Sequence, residues 1–169
     1  MEKEKEIILG IDLGTIYSCV GIMKNNVIIL NDQFSNDKII PSMVCFKGDK
    51  CFIGETARDL MIYHPQSSLY ESKRLIGLKY TNSHVQKDIK LMKPLKIIED
   101  PKTKKPKYVV KVNNKDKEYF PEEVSSMILE YLKEQAKIYN GNKEIKRAVI
   151  TVPAHFNNLQ RQAIIEASK

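Results

Sequence analysis

Hydrophobic positions near the start of the chain alternate with polar positions at the two-residue spacing of β-strands. Three such runs, separated by short turns, predict an antiparallel meander with strands at Ile7–Leu13, Ser18–Met23 and Val27–Asn31. Asn25-Asn26 is typical of the tight turn between the last two strands. The amino-terminal part of the chain is therefore predicted to be a small β-sheet.

The middle of the chain mixes short helices and strands. Helical patterns follow Glu55 as far as Pro65, at Tyr70–Leu75 before Gly77, and at His84–Met92 with Ser83 as the predicted cap. Strand patterns occur at Met43–Phe46, Cys51–Ile53, Leu95–Ile98, Tyr108–Val112 and Glu118–Phe120. Residues 38–120 could form a subdomain inserted into the first sheet's unit.

The last third predicts helix, strand, helix. A long helix begins at Pro121 and ends at Asn140-Gly141. Its predicted core face repeats at helical spacing: Val124, Met127, Ile128, Tyr131, Leu132, Gln135, Ala136 and Tyr139. Arg147–Pro153 is so apolar that both faces of this strand are expected to be covered. Asn157 and Gln160 predict a capping box for the final helix, and the order as a whole predicts a mixed α/β fold.

Composition narrows the function classes. The 169 residues are 42% hydrophobic and 29% charged, with no apolar run long enough for a membrane span. The net charge is +7, yet only four of the 28 basic residues are arginines, so the surplus of lysine is weak support for nucleic-acid recognition. The basic run PKTKKPK (101–107) is more typical of a solvated hairpin loop than of a localisation signal.

Three cysteines, Cys19, Cys45 and Cys51, form no CxxC pair and are odd in number. We expect buried, reduced thiols in a cytosolic protein rather than a zinc site. The amino terminus MEKEKEI carries acidic residues and passes directly into a strand, so no signal peptide is predicted. Localisation is therefore expected to be cytoplasmic.

The stretch IDLGTIYS (11–18) places a lone carboxylate, Asp12, at the end of an apolar strand and before a Gly-Thr turn. Two interpretations of these residues stay open. Asp12 could cap an ordinary hairpin turn, or it could hold Mg²⁺ while the amides of the turn bind phosphate oxygens. Gly14 would let the backbone approach such a ligand closely because glycine has no Cβ.

Five further motifs accompany this stretch in a fixed order. GIDLGTIYSCVGI is followed by NDQ with IPSMVCF, IGETA, ESKRLIG, FPEEVSSMIL and AVITVPAHFN. Together, from about Ile7 to Ala167, they resemble the amino-terminal part of the ATPase domain of the seventy-kilodalton heat-shock chaperones. The resemblance implies an actin-like, ribonuclease-H-like ATPase fold, of which the chain is the first lobe, with an inner subdomain at about 1–37 and 121–169 and an outer one at about 38–120.

The resemblance also implies a site for ATP or ADP with Mg²⁺. By analogy with the family, Asp12 holds Mg²⁺ through bound waters, and Gly14, Thr15, Ile16 and Tyr17 contact the phosphates. The Thr15 hydroxyl and Lys73 would act in hydrolysis, with Lys73 positioning the attacking water.

The family further implies a relay. Pro153 would be coupled to nucleotide state, and Arg161 would help to transmit that state to a substrate-binding domain.

The chain departs from the family at several positions. Ile16 stands where a second Thr is common, and His155, Asn158, Ile164 and Ile165 replace the usual Tyr, Asp, Thr and Lys. Segments that in the family supply the second phosphate loop, the adenosine contacts and the peptide-binding domain do not occur in these 169 residues. We therefore expect weak nucleotide affinity and negligible turnover from this chain alone.

Two functions follow from the resemblance. The first is part of an ATP-hydrolysing chaperone whose partners are unfolded client polypeptides and co-chaperones (J-domain proteins and nucleotide exchange factors), with no nucleic acid or membrane. The second is a non-catalytic relative that binds a chaperone or co-chaperone. Asp12, Thr15 and Lys73 favour the first function, whereas Ile16 and Ile164-Ile165 favour the second.

Overall fold

The computed structural model describes residues 7–23, 27–30, 32 and 35–169. Eleven strands and five α-helices lie in these residues, arranged as three sheets with flanking helices. The mixed α/β fold expected from the sequence is confirmed. Within the same residues, none of the helices has the length and apolar character required to cross a bilayer.

The first sheet has the strand order β11-β1-β2-β3, and a short strand β4 also pairs with β2. Its strands are β1 (Ile8–Asp12), β2 (Tyr17–Met23), β3 (Val27–Ile29), β4 (Ile40–Pro41) and β11 (Arg147–Ile150). The antiparallel pairing of β1 with β2 and of β2 with β3 confirms the predicted meander. The predicted Asn25-Asn26 turn lies outside the described residues.

Two smaller antiparallel sheets occupy the middle of the chain. They have the orders β6-β5-β7 and β10-β9-β8, and their strands are β5 (Met43–Lys47), β6 (Lys50–Ile53), β7 (Ser68–Tyr70), β8 (Lys96–Glu99), β9 (Pro106–Val112) and β10 (Lys115–Tyr119). The basic run at 101–107 crosses from β8 into β9, as the hairpin interpretation predicts. Lys107 there contacts Asp100 at 2.8 Å and Glu118 at 3.1 Å.

Three short helices separate these strands: α1 (Glu55–Met61), α2 (Ser72–Leu75) and α3 (Ser83–Leu91). The prediction that Ser83 caps α3 is wrong. The Asn82 side chain accepts the hydrogen bond from the His84 amide at 2.9 Å instead, because Asn82 lies one residue outside the helix, where a side-chain oxygen reaches the free amides of the first turn.

Helix α4 (Pro121–Tyr139) packs its apolar face into the core. The Glu123 carboxylate accepts a hydrogen bond from the Phe120 amide at 2.6 Å, which secures the start of the helix. Gln135 is buried within the predicted face, but Tyr139 is 59% exposed. The prediction that Tyr139 belongs to the core is wrong: it is the last residue of α4, and its side chain faces solvent.

Among the strands that the structure describes, β11 pairs only with β1, in parallel, at the edge of the first sheet. The prediction that both faces of this strand are covered is wrong: Val149 is 64% exposed, and Arg147 and Ala148 are also exposed. The apolar composition of a strand shows that it could be buried on both faces, but it does not show which elements cover it. Strand β11 lies at the edge of its sheet, where part of its surface stays exposed.

Helix α5 (Asn158–Ala167) begins with the predicted capping box. Asn157 accepts from the Gln160 amide at 3.0 Å, and the Gln160 side chain accepts from the Asn157 amide at 3.3 Å. Ile164 is buried in the core, whereas Ile165 is 51% exposed. The two neighbouring isoleucines, which replace the family's usual Thr and Lys, therefore differ in environment: one faces the core and the other faces solvent.

The cysteines differ in environment. Cys45 is buried, Cys19 is partly buried and Cys51 is exposed, all as free thiols. The expectation of buried thiols is therefore wrong for Cys51, which lies on β6 at a sheet edge. No group of three or more His, Cys, Asp or Glu side chains able to hold a metal occurs in the part of the chain that the structure describes.

Candidate phosphate and metal site

The turn between β1 and β2 depends on glycine at position 14. A Cβ added to Gly14 would lie 1.8 Å from the Tyr17 carbonyl oxygen, so no other residue fits this chain path. The Gly14 amide donates to the Ser18 hydroxyl at 3.1 Å, and the Gly14 carbonyl accepts from the Ser42 hydroxyl at 2.9 Å. These two hydroxyls also contact each other at 2.8 Å, which fixes the turn against the strand region around β4.

The amides at the tip of the turn remain available. The Ile16 carbonyl accepts from the Ser42 amide at 2.8 Å, but none of the described residues accepts a hydrogen bond from the amides of Thr15 or Ile16. Thr15 is half-buried, whereas Ile16 is 56% exposed. Free, neighbouring amides on a tight turn are the feature that holds anionic oxygens.

Asp12 lies beside this turn with an exposed side chain. Its Oδ1 accepts a hydrogen bond from the Thr151 hydroxyl at 2.5 Å, and among the residues described no donor reaches Oδ2. The carboxylate therefore faces outward with one oxygen available. Mg²⁺ needs few protein ligands and prefers oxygen, so this arrangement fits the metal implied by the sequence.

Lys73 reaches the same turn from α2. It is only 7% exposed, and its Nζ donates to the Leu13 carbonyl oxygen between Asp12 and Gly14. The two segments are 60 residues apart in sequence. The structure thus brings together the acidic and basic residues that the sequence could associate only through the family resemblance.

Electrostatics couple these two side chains. Burial lowers the pKa of the Lys73 ammonium from its ordinary value, and the negative charge of Asp12 acts in the opposite direction. Burial also raises the pKa of the neighbouring Cys19 thiol, and the charge of Asp12 raises it further. A buried ammonium close to an exposed carboxylate provides both signs of charge at one edge of the sheet.

The segment after β11 completes the site. The Lys73 Nζ lies 5.8 Å from the centroid of the Phe156 ring, within the range of a cation–π contact. Arg161 donates from Nε to the Phe156 carbonyl at 3.0 Å and from Nη2 to the Ala154 carbonyl at 3.1 Å. The Phe156 amide donates to the Pro153 carbonyl at 3.1 Å. Arg161 therefore holds the chain that connects Pro153 to the surroundings of Lys73.

Two residues of this site were missed at the sequence level. Thr151 and Phe156 lie in the AVITVPAHFN motif, but neither has the charge or the spacing that identifies a ligand. The parallel pairing of β11 with β1, which the sequence pattern does not specify, places Thr151 beside Asp12.

Two grooves lie near the sheet. One of about 300 Å³ borders the turn and is lined by Thr15, Ile16, Tyr17 and Met61 among others. A larger groove of about 860 Å³ lies between β1, β11, α4 and the end of α5, and it includes none of the predicted site residues. The smaller groove borders the turn, but its lining includes neither Asp12 nor Lys73.

Together, these features define an α/β domain in which a strand-end carboxylate, a glycine turn and a buried lysine converge at one edge of a mixed sheet. The family model described as Hsp70 protein matches residues 8–169. The chain belongs to the Hsp70 family. Membership implies the actin-like ATPase fold, with which the observed mixed sheet and flanking helices are consistent.

Individual relatives give the same result. Heat shock cognate 70 kDa protein 3 of Dictyostelium discoideum is 44% identical over 161 residues, which are 94% of this chain and 25% of the relative. The heat shock 70 kDa protein of Trichophyton rubrum is 42% identical over 161 residues, 94% of this chain and 24% of the relative. The human heat shock 70 kDa protein 7 is 40% identical over 169 residues, 99% of this chain and 44% of the relative. The chain thus spans less than half the length of these relatives.

Proposed function

We propose that this chain is the amino-terminal lobe of the nucleotide-binding domain of an ATP-dependent heat-shock chaperone. In this proposal residues 1–37 and 121–169 form the inner subdomain and residues 38–120 the outer one. The observation that carries the proposal is the placement of Lys73 against the Leu13 carbonyl, beside Asp12 and next to the free amides of Thr15 and Ile16.

Each side chain has a distinct task in this assignment. Asp12 offers an outward oxygen to Mg²⁺, which when bound would neutralise phosphate charge. The amides of residues 15–17 bind phosphate oxygens, and the Thr15 hydroxyl donates to a terminal phosphate or to water. Lys73 places positive charge where charge develops during phosphoryl transfer, and its burial keeps the ammonium in one position. Pro153 and Arg161 relay nucleotide state.

The rest of the proposal rests on the family. The proposed chaperone would bind client polypeptides, J-domain proteins and nucleotide exchange factors, and it would act in the cytosol. The isolated chain supplies one wall of a nucleotide cleft, so we expect weak binding and negligible turnover from it.

The proposal is tested by titrating the chain with ATP and Mg²⁺ while following ¹H–¹⁵N NMR signals. Shifts confined to the Asp12–Tyr17 turn and the surroundings of Lys73, with weak affinity, are the expected result. If the signals of the turn do not shift, the phosphate site is refuted. If ATP binds with micromolar or tighter affinity, the expectation that one wall of the cleft binds nucleotide weakly is refuted. In a longer form of the protein, Lys73→Ala should abolish hydrolysis and leave nucleotide binding largely intact.

A second candidate is a non-catalytic module that binds a chaperone or co-chaperone. Exposed Ile16 and Ile165, where the family usually has polar residues, favour it. If the NMR signals of the chain do not shift on addition of nucleotide but shift around these two isoleucines on addition of a chaperone, the second candidate is favoured over the first.

A further inference from the structure

The side chain of Thr151 makes a direct contact with the proposed metal ligand. Its Oγ1 donates to Asp12 Oδ1 at 2.5 Å, a short distance typical of a hydroxyl bound to an ionised carboxylate. Both side chains are exposed, so the contact does not serve to bury either residue. Its effect is on the direction in which the carboxylate points.

The backbone fixes Thr151 in this place. Strand β11 runs parallel to β1, with Ile11 opposite Ile150, and the Thr151 amide donates to the Ile11 carbonyl at 2.9 Å. The strand pairing thus continues one residue beyond β11 and brings Thr151 level with Asp12. Because threonine is branched at Cβ, its hydroxyl has few rotamers and holds its direction well.

A carboxylate without such a partner would turn freely. The terminal torsion of an aspartate is broad, so an exposed Asp12 samples many directions for its two oxygens. Mg²⁺ requires near-octahedral geometry and keeps much of its water shell, so a misdirected carboxylate binds the ion or its waters poorly. A donor that restrains one oxygen selects the direction of the other.

We propose that Thr151 is a positioning residue that holds Asp12 Oδ1 so that Oδ2 is presented to the magnesium–nucleotide complex. This inference rests on the proposed function, since it concerns the same site. It assigns to Thr151 a role in metal affinity rather than in the stability of the sheet. Outer partners of metal ligands typically contribute about 10- to 100-fold to metal affinity.

The test uses the 169-residue chain and two substitutions. Thr151→Val keeps the shape and branching of the side chain but removes the donor, and Thr151→Ser keeps the donor. For each variant, ADP is titrated with Mg²⁺ and again with excess chelator, and the two dissociation constants are obtained from ¹H–¹⁵N NMR shifts of the turn. The dissociation constant with chelator divided by the dissociation constant with Mg²⁺ measures how much the metal strengthens ADP binding.

We expect Thr151→Val to reduce this ratio severalfold toward one, leaving metal-free ADP binding and the urea midpoint unchanged, and Thr151→Ser to restore most of it. An unchanged ratio in Thr151→Val would overturn the inference. Equal losses in the Val and Ser variants would also overturn it, because the hydroxyl would then not be the agent.

A control separates this inference from the function on which it rests. Asp12→Asn should remove the benefit of the metal in the same titration. If Asp12→Asn leaves the ratio unchanged, or if the unaltered chain shows no metal effect, the magnesium assignment fails and Thr151 loses its proposed role with it. If Asp12→Asn removes the metal effect while Thr151→Val does not, only the positioning role is refuted.

Discussion

Replacement of Gly77 by alanine tests how firmly the Lys73 segment is fixed to the rest of the site. Gly77 follows α2, has φ +69° and lies directly against the start of α5. A Cβ added there would lie 2.6 Å from Gln160 Cα and 2.9 Å from both the Gln160 nitrogen and the Leu159 carbonyl oxygen. These are backbone atoms of a helix, which cannot move aside individually.

The cost has two separable parts. A left-handed backbone conformation costs a residue with a Cβ about 1–2 kcal/mol. Overpacking against a fixed neighbour adds about 1–3 kcal/mol, so Gly77→Ala should lower the free energy of unfolding by about 2–5 kcal/mol in total. Gly141→Ala is the matched control, because Gly141 has φ +67° but none of the described residues has an atom within 4 Å of the added Cβ. It should lose only the first part, about 1–2 kcal/mol.

Urea unfolding of the three proteins measures both losses, and equal slopes with denaturant would show that the unfolded states are comparable. The difference between the variants isolates the contact between the turn after α2 and α5. Equal losses for Gly77→Ala and Gly141→Ala would refute the tight contact. Altered NMR signals for Phe156 in Gly77→Ala alone would show that the strain reaches the surroundings of Lys73.

Two further predictions concern charge. Asp100→Asn should make the protein less stable at neutral pH, because Lys107 and Thr103 hold the pKa of the Asp100 carboxyl below its usual range. This stabilisation is present above the ordinary pKa of 3.8 and is lost as the pH falls. The difference in urea midpoint between the two proteins should therefore shrink in acid. For Lys73 the folded-state pKa is lowered, so the unfolded chain binds more protons and stability should rise with pH between that lowered value and 10.5. Lys73→Met should lack this rise, and a parallel pH dependence in both proteins would contradict the burial of the ammonium.

Local pattern was sufficient for much of the fold. The two-residue alternation around Asp12 and Cys19 identified paired strands, and the helix starting at Pro121 was marked by residues that fit only a helix start. These features depend on neighbours in sequence. Errors occurred where the outcome depended on distant packing, as at Val149, whose apolar side chain says nothing about which elements cover it.

The site shows the same division. The local pattern identified Asp12 and Gly14, because an acid at a strand end is followed by a glycine turn. Lys73 is one of many lysines, and only the family motif distinguished it from the others. The sequence pattern did not identify Thr151 or Phe156, because these uncharged residues reach the site only through the pairing of β11 with β1 and the contact of the Phe156 ring with Lys73. The sequence pattern likewise did not separate Ile164 from Ile165. Residues one apart on a helix point about 100° from each other, and of these two the core buries Ile164 while Ile165 stays exposed.

A physical route for the predicted relay follows from the short segment 151–156. Its first residue binds Asp12, and its last places an aromatic ring against Lys73. Arg161 fixes the two carbonyls at positions 154 and 156. We therefore expect a shift of this segment to alter the surroundings of the acid and of the lysine together. Coupling between sites needs a contiguous element with two arrangements. Segment 151–156 supplies such a contiguous element, with Thr151 exposed at the acid and Phe156 buried at the lysine.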